Sequence, residues 1–196
     1  MGVPSIKGSG IRSLVEDAKK ELESGAASAD DLALLGDAER RMIEDGVLDS
    51  AWYPLESYER LTKFMQRTAG GGDPEYVRKR GEALAERLIA LGLYQQVDFL
   101  SRAGKAESLD QAVRHLKLVA SMWKSFFNVG TWDVERDDEA SEYLLVVRDA
   151  ADLPDLVCQA LQGVIGRLAQ ETGNAREVRL ERPSRDLVRF VLEFQP

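Results

Sequence analysis

The stretches TWDVERDDEASEYLLVV (residues 131–147), PDLVCQALQGVIGRLAQET (154–172) and VRLERPSRDLVRFVLEF (178–194) fill the last third of a 196-residue chain. In the first, Trp132 and Val134 alternate with Thr131, Asp133 and Glu135, the period-two pattern of a strand with one buried face. After the turn residues Asp137-Asp138-Glu139, the run Tyr143–Val147 is almost wholly apolar, which predicts a central strand covered on both faces. Residues 154–172 switch to helical spacing, with Val157, Leu161, Val164 and Leu168 on one side. Alternation then returns at Val178 and Leu180, and again at Val188, Phe190, Leu192 and Phe194, across the connection Arg182–Asp186. A strand–strand–helix–strand–strand order is most simply met by a mainly antiparallel four-stranded sheet backed by the helix. The expected class is α+β, with a helical layer supplied by the preceding residues.

Working outward, Leu109, Val113, Leu116, Ala120, Trp123 and Phe127 fall on one side of a helix turning about 100° per residue. Val119, Met122 and Phe126 widen that side, and Arg114, Lys117, Ser121 and Lys124 take the other. A helix so broadly apolar is packed by more than one neighbour or faces a cavity. Val77, Gly81, Leu84, Leu88 and Leu91 form a second stripe, in which Gly81 lets another helix approach closely. Asp73-Pro74 supplies a cap and a first-turn proline for it. Pro54 suits the first turn of a helix carrying Leu55, Tyr58, Leu61, Thr62 and Met65. Ser28–Asp31 offers caps for a helical region interrupted near Gly36. A further helix starts near Ile11 and stops at Gly25. The opening MGVPSIKGSG, residues 1–10, reads as flexible, and residues 11–196 as a single domain.

Acidic residues outnumber basic ones by 34 to 26, a net charge of -8, whose long-range field opposes phosphate backbones and anionic lipid. One cysteine forms no internal disulfide and no thiolate cluster for structural zinc or iron–sulfur. No secretory signal or membrane-length apolar run is visible, so a cytoplasmic protein without nucleic-acid or membrane partners is expected.

His115 is the sole histidine, which excludes any enzyme needing two. It reads as a structural or surface residue, with an axial haem ligand or an acid–base group as the alternative. Cys158, beside Leu161 and Ile165, reads as a small buried hydrophobe, a pocket wall or a nucleophile. Acidic pairs such as Glu16/Asp17 and Asp137/Asp138 have no histidine partner nearby, and no phosphate-binding, zinc-protease or nucleophile-elbow spacing is present. The aromatic residues are more informative. Trp52, Tyr53 and Tyr58 gather at a proline break. Trp123, Phe126, Phe127 and Trp132 span the step from helix to sheet, where with Tyr143 they fill a core or wall a crevice.

The segments WYPLESYERL (52–61), MWKSFFNVGTWDVE (122–135) and LVCQALQGVIGRLAQETG (156–173), the last followed by two strands, resemble an uncharacterised myxobacterial family related to 4-vinyl-reductase-type ligand-binding domains. The wider likeness is to the fold shared by nitric-oxide-signalling sensor domains and trafficking-complex subunits of the Bet-three type, and it spans Ile11 to Phe194. It implies an apolar pocket between helices and sheet for an aromatic effector, a tetrapyrrole or an acyl chain, and frequent dimerisation. Carried onto this sequence, that pocket involves Trp123, Phe127 and Cys158. The zinc-binding cysteines common near the end of vinyl-reductase-type members have no counterpart in REVRLERPSRDLVRFVLEF (176–194).

The expected function is a non-enzymatic regulatory or scaffold protein acting through protein–protein contacts, as a homodimer or with another partner, with Trp52, Tyr53 and Tyr58 at the interface. The alternative is a sensor domain for a small apolar or aromatic compound held between helices and sheet by Trp123, Phe126, Phe127, Trp132, Tyr143 and Cys158. No cofactor and no metal are expected.

Overall fold

The period-two segments form the sheet they predict. In a computed structural model describing residues 2–91, 104–172 and 175–195, β3 (Thr131–Asp137), β4 (Glu142–Arg148), β5 (Ala175–Ser184) and β6 (Leu187–Phe194) lie in the order β3-β4-β6-β5, all neighbours antiparallel. Preceding them are β1 (Ser5–Lys7), α1 (Gly8–Ser24), α2 (Ala29–Leu32), α3 (Asp37–Asp45), β2 (Trp52–Pro54), α4 (Leu55–Arg67), α5 (Tyr76–Leu91) and α6 (Leu109–Phe126), and α7 (Asp155–Thr172) separates β4 from β5. The fold is α+β, N-terminal helices against a C-terminal antiparallel sheet.

Register places Trp132, Val147 and Val188 in one row across the sheet, and Tyr143, Leu192 and Val178 in another. All six are buried, and α6 and α7 cover this face. Val146 and Val191 face the other way and are also buried. Their row neighbours include Asp133, Arg189 and Arg179; the pair Arg148–Glu135 joins adjacent strands, and Arg179–Glu142 reaches from β5 across β6 to β4. Long charged side chains have apolar stems able to lie over such valines. Gly130, at φ 76°, turns the chain from α6 into β3 in a backbone conformation that favours glycine.

The second layer is tied on by close backbone contact. A Cβ on Gly81 of α5 would stand 2.0 Å from the Ala160 carbonyl oxygen, and one on Gly163 of α7 would stand 2.0 Å from that of Arg78. Two glycines, one on each helix, thus let α5 and α7 touch backbone to backbone, as expected for Gly81. Gly166 differs, because its Cβ would meet only Val178 Cγ2 at 3.7 Å.

Residues 5–10 depart from the flexible N-terminus expected for 1–10 (Met1 lies outside the described residues). β1 pairs antiparallel with β2, and α1 begins at Gly8. No side chain caps α1. Its first N–H groups donate instead to the carbonyls of Ala51 (from Gly8, 2.8 Å) and Asp49 (from Ser9, 3.2 Å), which meets the need of a helix start for acceptors. Gly8 is required there, since a Cβ would stand 1.9 Å from the Leu48 carbonyl oxygen. Glycine content suggested looseness, whereas here it permits contact.

α2 carries the expected cap, Ser28 accepting from the Asp31 N–H. Glu39 of α3 is buried, but its carboxylate accepts from Gly36 N–H at 2.8 Å and the Ser57 hydroxyl at 2.5 Å, which offsets its desolvation. Among the described residues, no helix is long and apolar enough to cross a membrane.

Candidate functional site

Where α1, α4, α5, α6 and α7 meet, several facing positions carry small residues. Gly10 and Ser13 on α1, Gly81 on α5 and Ala160 on α7 are among them, with the Gly81 backbone directly against that of Ala160 and Gly10 packed on Ile6 and Phe126. The five helices border an apolar crevice with a cavity volume of about 60 Å³. Leu14, Leu84, Met122, Trp123, Phe126 and Leu161 form much of its wall, while Ser9, Ser13, Tyr58, Thr62 and Arg80 supply polar groups.

Three of the six expected pocket residues line it: Trp123, Phe126 and Phe127. Their rings form a chain, with Trp123 5.9 Å from Phe126 and 6.3 Å from Phe127 between centroids. Trp132, Tyr143 and Cys158 do not belong to the crevice, so its expected position between helices and sheet is corrected. Trp132 stacks on Phe127 at 5.6 Å and donates its indole N–H to the Val129 carbonyl at 3.1 Å. This closes the junction of helix and sheet with well-packed rings. Tyr143 lines, with His115, Leu116 and Thr172, a separate void of about 10 Å³, room for about one water molecule.

Cys158 is 1% exposed, and burial pushes its thiol up to about 12, against the pull of the Arg182 guanidinium. Burial thus disfavours the thiolate on which nucleophilic and metal-binding chemistry depends. His115 is buried as well, with Nδ1 2.8 Å from the Thr172 carbonyl oxygen. A carbonyl only accepts, so Nδ1 carries the proton and the ring ties α6 to the end of α7. Cys158 is buried, the first of the readings made for it, and His115 lies inside the fold and not at its surface.

The expected interface trio divides. Trp52 is 46% exposed under the Lys7 ammonium, 5.6 Å from its ring centroid. Tyr53 is half-buried, its hydroxyl accepting from the Leu48 N–H at 2.9 Å. Tyr58 lines the crevice instead, and burial raises its phenol pKa while the Arg80 charge opposes that rise. Helical spacing showed that Tyr58 and the Gly81 stripe turn inward. It gave no sign of Ser9 and Gly10, whose segment read as loose, of Ser13, a polar position within the helix read from Ile11, or of Arg80, whose ion-pair partner Asp17 comes from another helix.

Two polar details mark this crevice. The indole N–H of Trp123 is buried and has no acceptor among the described residues, a defect that costs about 1–3 kcal/mol. Arg80 Nη1 lies 2.6 Å from Asp17 Oδ2, both side chains about four-fifths buried, and the Arg80 charge opposes the rise that burial gives the Tyr76 phenol pKa. Among the described residues, no three of His, Cys, Asp and Glu are placed to hold a metal ion.

Compared with family models and with curated proteins, the chain matches none.

Proposed function

We propose that this protein is a binding module for a small, mostly apolar compound held among its helices, acting without covalent chemistry. The observation that carries this reading is the apolar crevice whose wall includes Trp123, a residue with a buried and unpartnered donor. Folding forms such a wall at a cost, which a function in binding accounts for. At about 10–15 Å³ per water-sized position, the crevice accommodates about four to six non-hydrogen atoms. The occupant is therefore short, or places only its apolar end inside. A tetrapyrrole, one of the ligands implied by the resemblance, is too large for the crevice as it stands.

A second reading, a regulatory or scaffold protein working through protein contacts, is favoured by one observation. Trp52 and Leu48 are 46% and 72% exposed, and their loop is tied to α1 through Gly8 and Ser9.

The test of the first reading is a titration of the ¹⁵N-labelled protein with 1-pentanol, following its three indole N–H signals. Trp123 is expected to shift with saturation, while Trp52 stays fixed. Ser13→Trp, placing a large side chain at a half-buried lining position, is expected to abolish the shift with the fold intact. A Trp123 signal unmoved in the native protein refutes the reading.

A further inference from the structure

The charges beside the crevice are arranged in a way that bears on which compounds it accepts. Arg80 is the charged residue in the lining. Its guanidinium is engaged by Asp17 at 2.6 Å, and Asp17 is further approached by Lys20 at 3.7 Å from the exposed side. The carboxylate thus cancels the positive charge before a ligand arrives. The hydroxyls of Ser9, Ser13 and Tyr58, also in the lining, are not hydrogen-bonded to any described residue. They both donate and accept, so the crevice offers hydrogen bonds and apolar surface without a net charge.

We propose that the Asp17–Arg80 pair sets the specificity of the crevice for uncharged compounds: a short apolar body with a neutral hydroxyl, carbonyl or amide group. This rests on the binding reading above and names its ligand class. An anionic head group would have to displace Asp17 from Arg80 and leave that carboxylate, about four-fifths buried, without its partner. A cationic head group would meet a carboxylate already neutralised, beside a guanidinium that repels it. Either ion would also give up its own hydration on entering an apolar cleft, whereas a neutral group loses little. Asp17 acts through Arg80 and need not touch the ligand. It is a specificity residue by virtue of the charge it holds in check.

Three probes with one tail separate head-group charge from everything else: 1-pentanol, pentanoate and pentylammonium at pH 7, each titrated against the Trp123 indole signal. In the native protein, 1-pentanol is expected to bind at least about ten-fold more tightly than either ion. Asp17→Asn frees Arg80, so pentanoate is expected to gain about ten-fold while pentylammonium stays weak. The double variant Asp17→Asn/Arg80→Gln removes both charges together and is expected to restore the native ranking. It also leaves no unpaired buried charge, since Lys20 is exposed, so it reports even if the single variant does not fold. Pentanoate or pentylammonium binding the native protein as tightly as 1-pentanol overturns the specificity claim while leaving the binding reading in place. So does a ranking unchanged in a folded Asp17→Asn protein. If none of the three probes moves Trp123, the binding reading falls and the specificity claim falls with it.

Discussion

Gly81→Ala and Gly163→Ala are each expected to lower the unfolding free energy by about 3 kcal/mol. For a chain of this size that is a fall in Tm of about 6–12 °C. The reason is geometric. The added methyl carbon would sit 2.0 Å from a carbonyl oxygen of the opposite helix in either case, and a backbone atom has no rotamer to escape into. α5 must move away from α7, which disturbs the packing of Val77 and Val164, both buried, on either side of the crossing. Gly166→Ala is the matched control on the same helix. Its Cβ meets Val178 at an ordinary 3.7 Å, and alanine favours a helix by up to about 1 kcal/mol over glycine. It is expected to be neutral or stabilising. Chemical denaturation of the three variants decides the matter, and a Gly81→Ala protein as stable as Gly166→Ala would show that the two helices do not meet at these glycines.

The second large effect is at the junction of helix and sheet. Trp132→Ala is expected to cost about 3–5 kcal/mol, the range for truncating a buried aromatic residue to alanine. Trp132 is 2% exposed, stacked on Phe127, with its indole N–H satisfied by Val129. Removing the ring leaves a cavity and a carbonyl without its donor. Trp132→Phe keeps most of the ring contact but loses the hydrogen bond, and its cost is expected to fall nearer 1–2 kcal/mol, about that of an unmade buried bond plus a small void. Urea unfolding with a constant slope measures both. A Trp132→Ala protein within about 0.5 kcal/mol of the native one would mean that the junction is loosely packed, contrary to the structure.

These two sites also show what could and could not be read along the chain. The sheet was legible because alternation at Trp132/Val134 and at Val188/Phe190/Leu192 has a single structural meaning once one face is buried. Gly81 was legible as well, because a glycine inside an otherwise regular apolar stripe has a packing reason. The place of the crevice was not. Periodicity shows that Trp132, Tyr143 and Cys158 turn inward, but an inward side chain either fills space or borders it, and only the volumes of its neighbours decide which. At Trp132 the neighbours are rings, and the space closes. Beside Trp123 the lining comes from helices far apart in sequence, including Ser13 of α1 and Ala160 of α7, and a space stays open. The start of α1 was missed for a related reason. Gly8 carries no local sign that it lies against the Leu48 carbonyl, which is far away in sequence.

Xenon binding examines the central claim most directly, because a pressurised crystal locates empty apolar volume without any assumption about the natural ligand. The account predicts a xenon atom among α1, α4, α5, α6 and α7, in contact with Leu84, Met122, Trp123 and Leu161. An empty site there, or xenon lodged instead between Trp132, Tyr143 and Cys158, would contradict it.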